Sequence, residues 1–283
     1  MSAWTDQIAV ITGAGSGIGE GLARHCLRQG MQVIACDISA QGLENLQASV
    51  ETEPNALTTH ELDVSCAKAI EQLAQSVFSD YGRVNLLFNN AGVLVDGKCW
   101  ERELRDWRWV IDVNIMGVIH GVKSFVPRML SQGETGRVIN TSSIGGLLGG
   151  GAYMAPYQST KHFVTAFTET LFQELELEEA PISASVLCPA EVATGIWESD
   201  RLRDEGQQNL LGSEAEQQSH DIIAGSVADG LAPDHFAQLV FEKIEQGKFW
   251  LLPQSDFKPM LNQRHESIMN ETSPLSMAEL MGF

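Results

Sequence analysis

The chain has 283 residues, of which 43% are hydrophobic and 19% are charged, and its formal net charge is −19 at pH 7. Because so negative a chain repels phosphate backbones and anionic lipid, binding of nucleic acid or of a membrane surface through a broad basic face is excluded. No apolar run approaches the ~20 residues of a membrane span, and the first residues lack the basic segment of a secretion signal. The five cysteines form no C-x-x-C pair, so we expect reduced thiols, no metal site and a cytoplasmic protein.

Short β-branched runs alternate with longer helical patterns along most of the chain. The predicted strands are Ile8–Ile11, Gln32–Cys36, Ala56–Leu62, Val84–Phe88, Gly136–Thr141 and Ile182–Leu187. The predicted helices are Ile18–Gln29, Gln41–Glu51, Cys66–Asp80, Leu104–Leu130 and Tyr157–Glu179. Strand–helix alternation at this spacing builds βαβ units, so we predict an α/β fold with a doubly wound parallel sheet flanked by helices.

The remaining segments depart from this alternation. Residues 190–231 are long, polar and interrupted by glycine, which is typical of a lid beside a site. Residues 253–283 contain several methionines, which fill irregular apolar gaps. We therefore predict one catalytic domain over residues 1–252, with a C-terminal extension that packs on a neighbouring subunit or over the substrate pocket. A partly frayed terminus is the alternative.

A glycine-rich turn joins the first predicted strand to the first predicted helix. From Thr12 to Gly19 it reads T-G-x-x-x-G-x-G, which differs from the general G-x-G-x-x-G fingerprint. Glycine lets backbone amides approach a pyrophosphate closely at φ > 0, and the helix start adds unpaired N–H groups and partial positive charge. We therefore predict that this turn binds the phosphates of a dinucleotide, through Gly13, Ser16, Gly17, Ile18 and Gly19.

Asp37 ends the second predicted strand, 18 residues beyond Gly19. At that point of a Rossmann-type sheet, a carboxylate accepts hydrogen bonds from the adenosine ribose hydroxyls and repels a 2′-phosphate. Neither Ser16 in the turn nor Ile38 after the acid is basic, so we predict NAD rather than NADP as the cofactor. A strand-end aspartate that caps the following helix is the alternative.

Tyr157 and Lys161 are spaced for acid–base chemistry. Pro156 favours a helix start, and residues four apart on a helix share a face. A lysine ammonium about 4 Å from the phenol contributes roughly 4 kcal/mol at an effective dielectric near 20, which lowers the phenol pKa by about three. We therefore predict that Tyr157 takes a proton from an alcohol while hydride leaves the alcohol carbon.

Five motifs stand in one order along the chain, and together they resemble the short-chain dehydrogenase/reductase family in its single-domain branch. They are Thr12–Gly19, Asn89-Asn-Ala-Gly92, Asn114 in Val-Asn-Ile-Met-Gly, Ser142-Ser143, and Tyr157 with Lys161. The likeness covers about residues 5–195. It implies a Rossmann fold with the nicotinamide at the carboxyl ends of the strands, and a homodimer or homotetramer paired through Leu104–Leu130 and Tyr157–Glu179.

The same resemblance implies a role for each matching residue. Tyr157 matches the acid/base, Lys161 the residue that holds the nicotinamide ribose and lowers the tyrosine pKa, and Ser143 the serine that binds the substrate oxygen. Asn114 matches the asparagine that anchors a proton-relay water. The remaining matches are to the cofactor: Asp63 and Val64 beside adenine, Asn90, Ala91 and Gly92 against the adenosine ribose, Val192 at the carboxamide, and Thr194 at a phosphate.

Two features depart from the family pattern. Tyr157 follows Ser143 by 14 positions, one more than is usual, and the glycine-rich stretch Gly145–Gly151 can absorb that residue. Ser142 is therefore the alternative to Ser143. After the sixth strand the chain has Pro189-Ala190 in place of Pro-Gly, and the reduced backbone freedom bears on the contacts expected of Val192 and Thr194.

The expected substrate pocket is apolar and lacks an arginine or lysine placed to hold a carboxylate or phosphate. Its expected lining is Leu94, Val95, Leu147, Leu148, Tyr153, Met154 and Trp197, although half of these side chains would equally suit the core. We therefore predict oxidation of a hydrophobic secondary alcohol that is aryl, alicyclic or steroid-like.

Three other functions compete with this prediction. A ketoacyl-type carbonyl reductase using NAD(P)H would favour a basic entrance, and a non-catalytic dinucleotide-sensing protein would need no aligned acid and base. A nucleotide-sugar epimerase or dehydratase would carry T-G-x-x-G-x-x-G and a longer substrate domain, and this chain has neither.

Overall fold

The computed structural model describes residues 4–50, 56–203, 211–276 and Glu279, within which strands and helices alternate. The strands are β1 (Ile8–Thr12), β2 (Gln32–Asp37), β3 (Leu57–Glu61), β4 (Leu86–Asn89), β5 (Gly136–Thr141), β6 (Ile182–Leu187) and β7 (Trp250–Leu251). The helices are α1 (Gly17–Arg28), α2 (Ala40–Ser49), α3 (Ala67–Tyr81), α4 (Leu104–Ile111), α5 (Gly117–Ser131), α6 (Ala155–Leu177), α7 (Glu214–Ala228), α8 (Pro233–Glu245) and α9 (Lys258–Met269). All seven strands of this part of the chain form one parallel sheet, in the order β3-β2-β1-β4-β5-β6-β7. This confirms the predicted doubly wound fold.

The sheet is buried on both faces, which explains why its strands are continuously apolar. Along β1, Ala9 and Ile11 face a core layer built with α1 and α8. Ile8 and Val10 face the opposite layer, built with α3, α5 and α6. The two layers fix the strands, so the loops at their carboxyl ends have defined positions.

The strand order reverses between β1 and β4, because the chain first moves outward from β1 to β3 and then returns to the other side. Such a reversal leaves a crevice outside the carboxyl ends of the two strands, where ligands bind in open α/β sheets. Thr12 ends β1 and Asn89 ends β4, so the glycine-rich turn and the Asn89–Gly92 segment lie side by side at this crevice.

The predicted helix Leu104–Leu130 is interrupted in the structure. A π-helical turn, Asp112–Met116, separates α4 from α5 and is centred on the buried Asn114. The expectation that no segment is long and apolar enough for a membrane span also needs correction. Leu104–Ser131 meets that test by length and composition, since an 18-residue window within it has a mean hydropathy of 1.3, but half of that window is buried against the rest of the fold. A core helix passes the same test.

The lid and the C-terminal extension contain regular structure that the sequence did not predict. The lid comprises a 3₁₀ turn, Ile196–Leu202, and α7, and the extension contains α9. The extension contacts the stretch Gly145–Gly151, which we call the glycine-rich loop. Arg264 lies beside Gly149, and the Leu275 carbonyl lies against Gly150. Met269 is exposed, so it does not fill an apolar gap as expected. Two further tail methionines lie outside the described residues. The sequence also did not predict the edge strand β7, because a strand of two residues is too short to show an alternating pattern.

Candidate active site

A cavity of about 560 Å³ opens at the carboxyl ends of the central strands. The glycine-rich turn and Asp37 line one end, and Ser143, Tyr157 and Lys161 line the other. The cavity therefore joins the predicted cofactor site and the predicted catalytic residues in one continuous space.

The glycine-rich turn is shaped by close backbone packing. Gly13 and Gly17 have φ values of +69° and +56°, a conformation that side chains rarely adopt. A Cβ on Gly19 would collide with the Gly13 carbonyl, and one on Gly17 would lie 2.8 Å from the Thr194 Cγ2. The Ser16 side chain does not cap α1, so the first-turn amides of that helix have no side-chain partner at this position. These features fit an anionic diphosphate.

Asp37 is held at the cavity wall by backbone amides. Its Oδ2 accepts a hydrogen bond from the Gly15 N–H at 2.8 Å, and its Oδ1 accepts one from the Ser39 N–H at 2.8 Å. The Ser39 side chain, not Asp37, caps α2 by accepting from the Gly42 N–H. The carboxylate therefore keeps lone pairs that can accept from a ribose hydroxyl.

Asn90 ties the turn to the neighbouring strands. Its side-chain nitrogen donates to the Thr12 carbonyl at 3.0 Å, and its side-chain oxygen accepts from the Thr141 hydroxyl at 3.3 Å. The side chain thus positions the ends of β1, β4 and β5. The other residues expected to contact the cofactor also line the cavity, namely Asp63, Val64, Ala91, Gly92, Val192 and Thr194.

Tyr157 and Lys161 lie one helical turn apart near the start of α6, and both face the cavity. The Lys161 Nζ is 5.7 Å from the centre of the tyrosine ring and donates to the Thr141 carbonyl at 2.9 Å. Ser143 forms a hydrogen bond with the Tyr157 side chain. Ser142 instead donates to the Lys161 carbonyl at 2.7 Å and contacts the Thr165 hydroxyl. Of the two serines, Ser143 is therefore the one beside the phenol.

Burial controls the titration of this pair. It raises the pKa of Tyr157 above its usual value of 10, and the hydrogen bond with Ser143 opposes that rise. Burial also lowers the pKa of Lys161 to about 8. The expectation that Lys161 brings the phenol pKa toward neutrality is not met in this structure, because desolvation of the phenol outweighs other effects.

Asn114 lies behind the cavity wall rather than on it. Its side-chain oxygen accepts from the Val93 N–H at 2.8 Å, and its nitrogen donates to the Val93 carbonyl and the Thr160 hydroxyl. These bonds use both donors of the amide and one lone pair of its oxygen, and they secure the π-helical turn.

The substrate end of the cavity differs from the expected lining. Leu94, Leu148 and Met154 line it, as expected. Four other expected residues do not: Val95, Leu147, Tyr153 and Trp197. Seven apolar residues that the sequence did not indicate complete the wall: Trp109, Val113, Ile144, Ile196, Leu202, Ile223 and Val227. Arg201 also lines the cavity, which corrects the expectation that no arginine is present there.

The lid helix α7 is attached to the loop after β4 by polar contacts. Glu216 is fully buried and accepts hydrogen bonds from the Lys98 N–H at 2.9 Å and the Ser213 hydroxyl at 2.8 Å. The backbone hydrogen bond from Lys98 contributes most to holding the pKa of Glu216 below its usual value. The His220 Nδ1 lies 2.9 Å from the Asp96 carboxylate. The sequence did not predict these contacts of Glu216 and His220, because no periodic pattern marks the residues that form them.

A glycine turn, a strand-end acid and a tyrosine–lysine pair around one cavity define a dinucleotide-binding enzyme of the Rossmann type. The model of the short chain dehydrogenase family matches residues 7–205. The chain therefore belongs to the short-chain dehydrogenase/reductase family, whose members are oxidoreductases with a nicotinamide cofactor.

Solved and curated relatives agree with this assignment. A short-chain dehydrogenase/reductase of Burkholderia phymatum, solved in complex with NAD, is 35% identical, covers 98% of this chain and 99% of its own, and superposes with a TM-score of 0.90. The C alpha-dehydrogenase of Sphingobium sp. is 30% identical over 97% of this chain and 89% of the relative. The 1-deoxy-11-beta-hydroxypentalenate dehydrogenase of Streptomyces avermitilis is 32% identical over 92% of this chain and 89% of the relative.

Proposed function

We propose that this protein is an NAD-dependent alcohol dehydrogenase that oxidises a hydrophobic secondary alcohol to the ketone. One observation carries the proposal: Ser143, Tyr157 and Lys161 line the same cavity as the glycine-rich turn and Asp37. A protein that only sensed a dinucleotide would need no acid and base aligned beyond the phosphate turn.

The residues divide the reaction between them. A bound nicotinamide cofactor would supply the acceptor for the hydride of the alcohol carbon. Tyr157 accepts the hydroxyl proton, and Ser143 holds the oxygen that becomes the carbonyl. Lys161 places a positive charge beside the phenol and favours its ionised form, against the effect of burial. Glycines and the α1 N-terminus hold the diphosphate, while the apolar lid residues exclude water.

The preference for NAD rests on Asp37. Its carboxylate is fixed at the cavity wall by the Gly15 and Ser39 amides. Among the residues that the structure describes, the basic side chains that line the cavity are Lys161 and Arg201. Lys161 is held at Thr141 and Arg201 at the Gly195 carbonyl, so neither lies in the turn that faces Asp37. We expect kcat/KM for NAD to exceed that for NADP by at least tenfold, a preference of about 1.4 kcal/mol. A preference for NADP would contradict this cofactor assignment.

The substrate class follows from the wall opposite the phenol. Most of its side chains are aromatic or aliphatic, contributed by α4, the π-helical turn, the glycine-rich loop and the lid, among them Trp109, Leu148 and Val227. An aryl, alicyclic or steroid-like alcohol matches this lining better than a sugar phosphate does. The names of the Sphingobium and Streptomyces relatives, which describe dehydrogenases, support oxidation as the direction.

Tyr157→Phe tests the mechanism. The variant removes one hydroxyl, so we expect turnover of NAD with a panel of hydrophobic alcohols to fall by at least ~10³-fold, the contribution of a positioned acid–base group. NADH binding, followed by its fluorescence, should stay within twofold of the parent protein. A variant that kept most of its activity would remove Tyr157 from the mechanism.

We also propose a cytoplasmic homodimer or homotetramer. The expected interface helices expose Ile111, Leu130 and Leu177, which supports contact with a second copy. Light scattering after size-exclusion chromatography measures the mass in solution, and a mass near the monomer's 30.9 kDa would contradict the oligomer. Cell fractionation tests the location.

A further inference from the structure

The side chain of Gln158 is a polar group on the substrate wall that the proposed mechanism does not use. Gln158 follows Tyr157 on α6, is half-buried and lines the cavity. Its backbone carbonyl contacts His162, but its side-chain amide has no hydrogen-bond partner among the residues that the structure describes. An amide without a partner on a mostly apolar wall needs one when a substrate covers it and excludes water.

The glycine-rich loop is shaped around this amide. A Cβ on Gly151 would lie 2.7 Å from the Gln158 Nε2 and 3.2 Å from its Oε1. A Cβ on Gly145 would lie 3.4 Å from the Gln158 Cγ and 3.5 Å from the Ser143 Oγ. The amide therefore packs against glycines that offer it no side-chain partner, and its side chain lies near Ser143.

Two other polar side chains at this end of the cavity already bond to backbone groups of the protein. Ser199 donates to the Ile196 carbonyl and accepts from the Leu94 N–H at 2.9 Å. Arg201 donates to the Gly195 and Glu198 carbonyls at 2.6 and 3.0 Å. Gln158 thus offers a complete donor and acceptor to a ligand.

We propose that Gln158 binds a second oxygen of the substrate, a hydroxyl or ether apart from the alcohol that is oxidised. The inference rests on the proposed function and narrows it to alcohols that carry such an oxygen. A neutral amide can accept from a hydroxyl and donate to an ether. A substrate without that oxygen would cover the amide and leave it unpaired, so its kcat/KM should be roughly 10- to 100-fold lower.

The test compares alcohols that differ by one oxygen. The probes are 1-phenylethanol with its ring-hydroxylated and ring-methoxylated derivatives, and cyclohexanol with the cyclohexanediols, each with NAD. In the parent protein, at least one oxygen-bearing probe should exceed its parent alcohol tenfold or more in kcat/KM. Gln158→Met keeps the length of the side chain and removes the amide, so it should bring that ratio close to one.

Gln41→Met is the matched control, because Gln41 lines the far end of the cavity and bonds to Glu44 and Asn45. It should leave the ratio unchanged. Calorimetric titration of the NADH-loaded protein with the corresponding ketones gives a second readout. If no alcohol is oxidised but ketone binding keeps the Gln158-dependent preference, the proposed function fails and this inference stands. Turnover or binding without any such preference, or one that survives Gln158→Met, overturns the inference.

Discussion

The cofactor end and the lid end of the cavity are stabilised in different ways. At the cofactor end, side chains at the strand ends bond to backbone groups of the neighbouring turn or strand: the Asp37 carboxylate accepts from the Gly15 N–H, and the Asn90 amide donates to the Thr12 carbonyl. At the lid end, charged side chains from segments far apart in sequence meet, as in Glu216 with Lys98. The first kind of contact joins sequence motifs at the ends of adjacent strands, whereas the second joins a lid helix to a loop through residues that no motif marks.

The difference predicts how each end responds to change. Gly13 and Gly19 at the cofactor end are packed against backbone, which cannot move without shifting a strand, so substitutions there should act on both folding and cofactor binding. The lid contributes mainly side chains, and α7 buries Glu216 but no apolar residue. Changes in α7 should therefore affect the substrate and leave the cofactor alone.

Gly19→Ala should have the largest effect. Its new Cβ would meet the Gly13 carbonyl and the Asn90 side chain inside the phosphate turn. We expect NADH affinity to fall by at least ~100-fold, about 3 kcal/mol, as measured by fluorescence titration, together with a lower Tm. Near-normal NADH affinity would show that the turn does not hold the diphosphate.

Lys161 gives the next largest effect, and it depends on pH. Its folded pKa is lowered to about 8 from the ordinary 10.5. Between these values the unfolded chain holds a proton that the folded protein has released, so the folded state gains stability as pH rises through this window. Relative to Lys161→Met, the parent protein should gain about 3 kcal/mol between pH 8 and 10.5 in urea unfolding. If the unfolding free energies of the two proteins changed with pH in parallel, the lowered pKa of Lys161 would be refuted.

The same contrast explains what could be predicted from the sequence. Tyr157 with Lys161, and Asp37 after its strand, follow from spacing along one element, and the fold class follows from strand–helix alternation. The choice between Ser142 and Ser143 could not be predicted from the sequence. It depends on the contact between the hydroxyls of Ser142 and Thr165, which only the folded chain brings together. Ile223 and Val227 were missed because α7 has few apolar residues and no clear stripe. The roles assigned to the site residues stay predictions.

Glu216→Gln should act on the substrate alone. The variant keeps the shape of the side chain but removes the charge that Lys98 and Arg102 face, so the lid should detach more easily. We expect KM for the alcohol to rise roughly tenfold, while the NADH affinity stays unchanged. Glu214→Gln, an exposed neighbour on the same helix, is the control and should change neither. Weaker NADH binding in Glu216→Gln would show that the two ends are coupled.

Gly225→Ala should have the smallest effect, and it is the counterpart of Gly19→Ala in the lid. Gly225 lies within α7, and a Cβ there would meet nothing within 4 Å. Alanine restricts the unfolded chain and favours the helix by about 0.5–1 kcal/mol, so α7 should become more stable. If the lid opens independently of the sheet, amide hydrogen exchange in α7 should slow by roughly twofold to fivefold while Tm changes little. An equal gain in Tm would mean instead that the lid unfolds together with the cofactor end, and the division between the two regions would not hold.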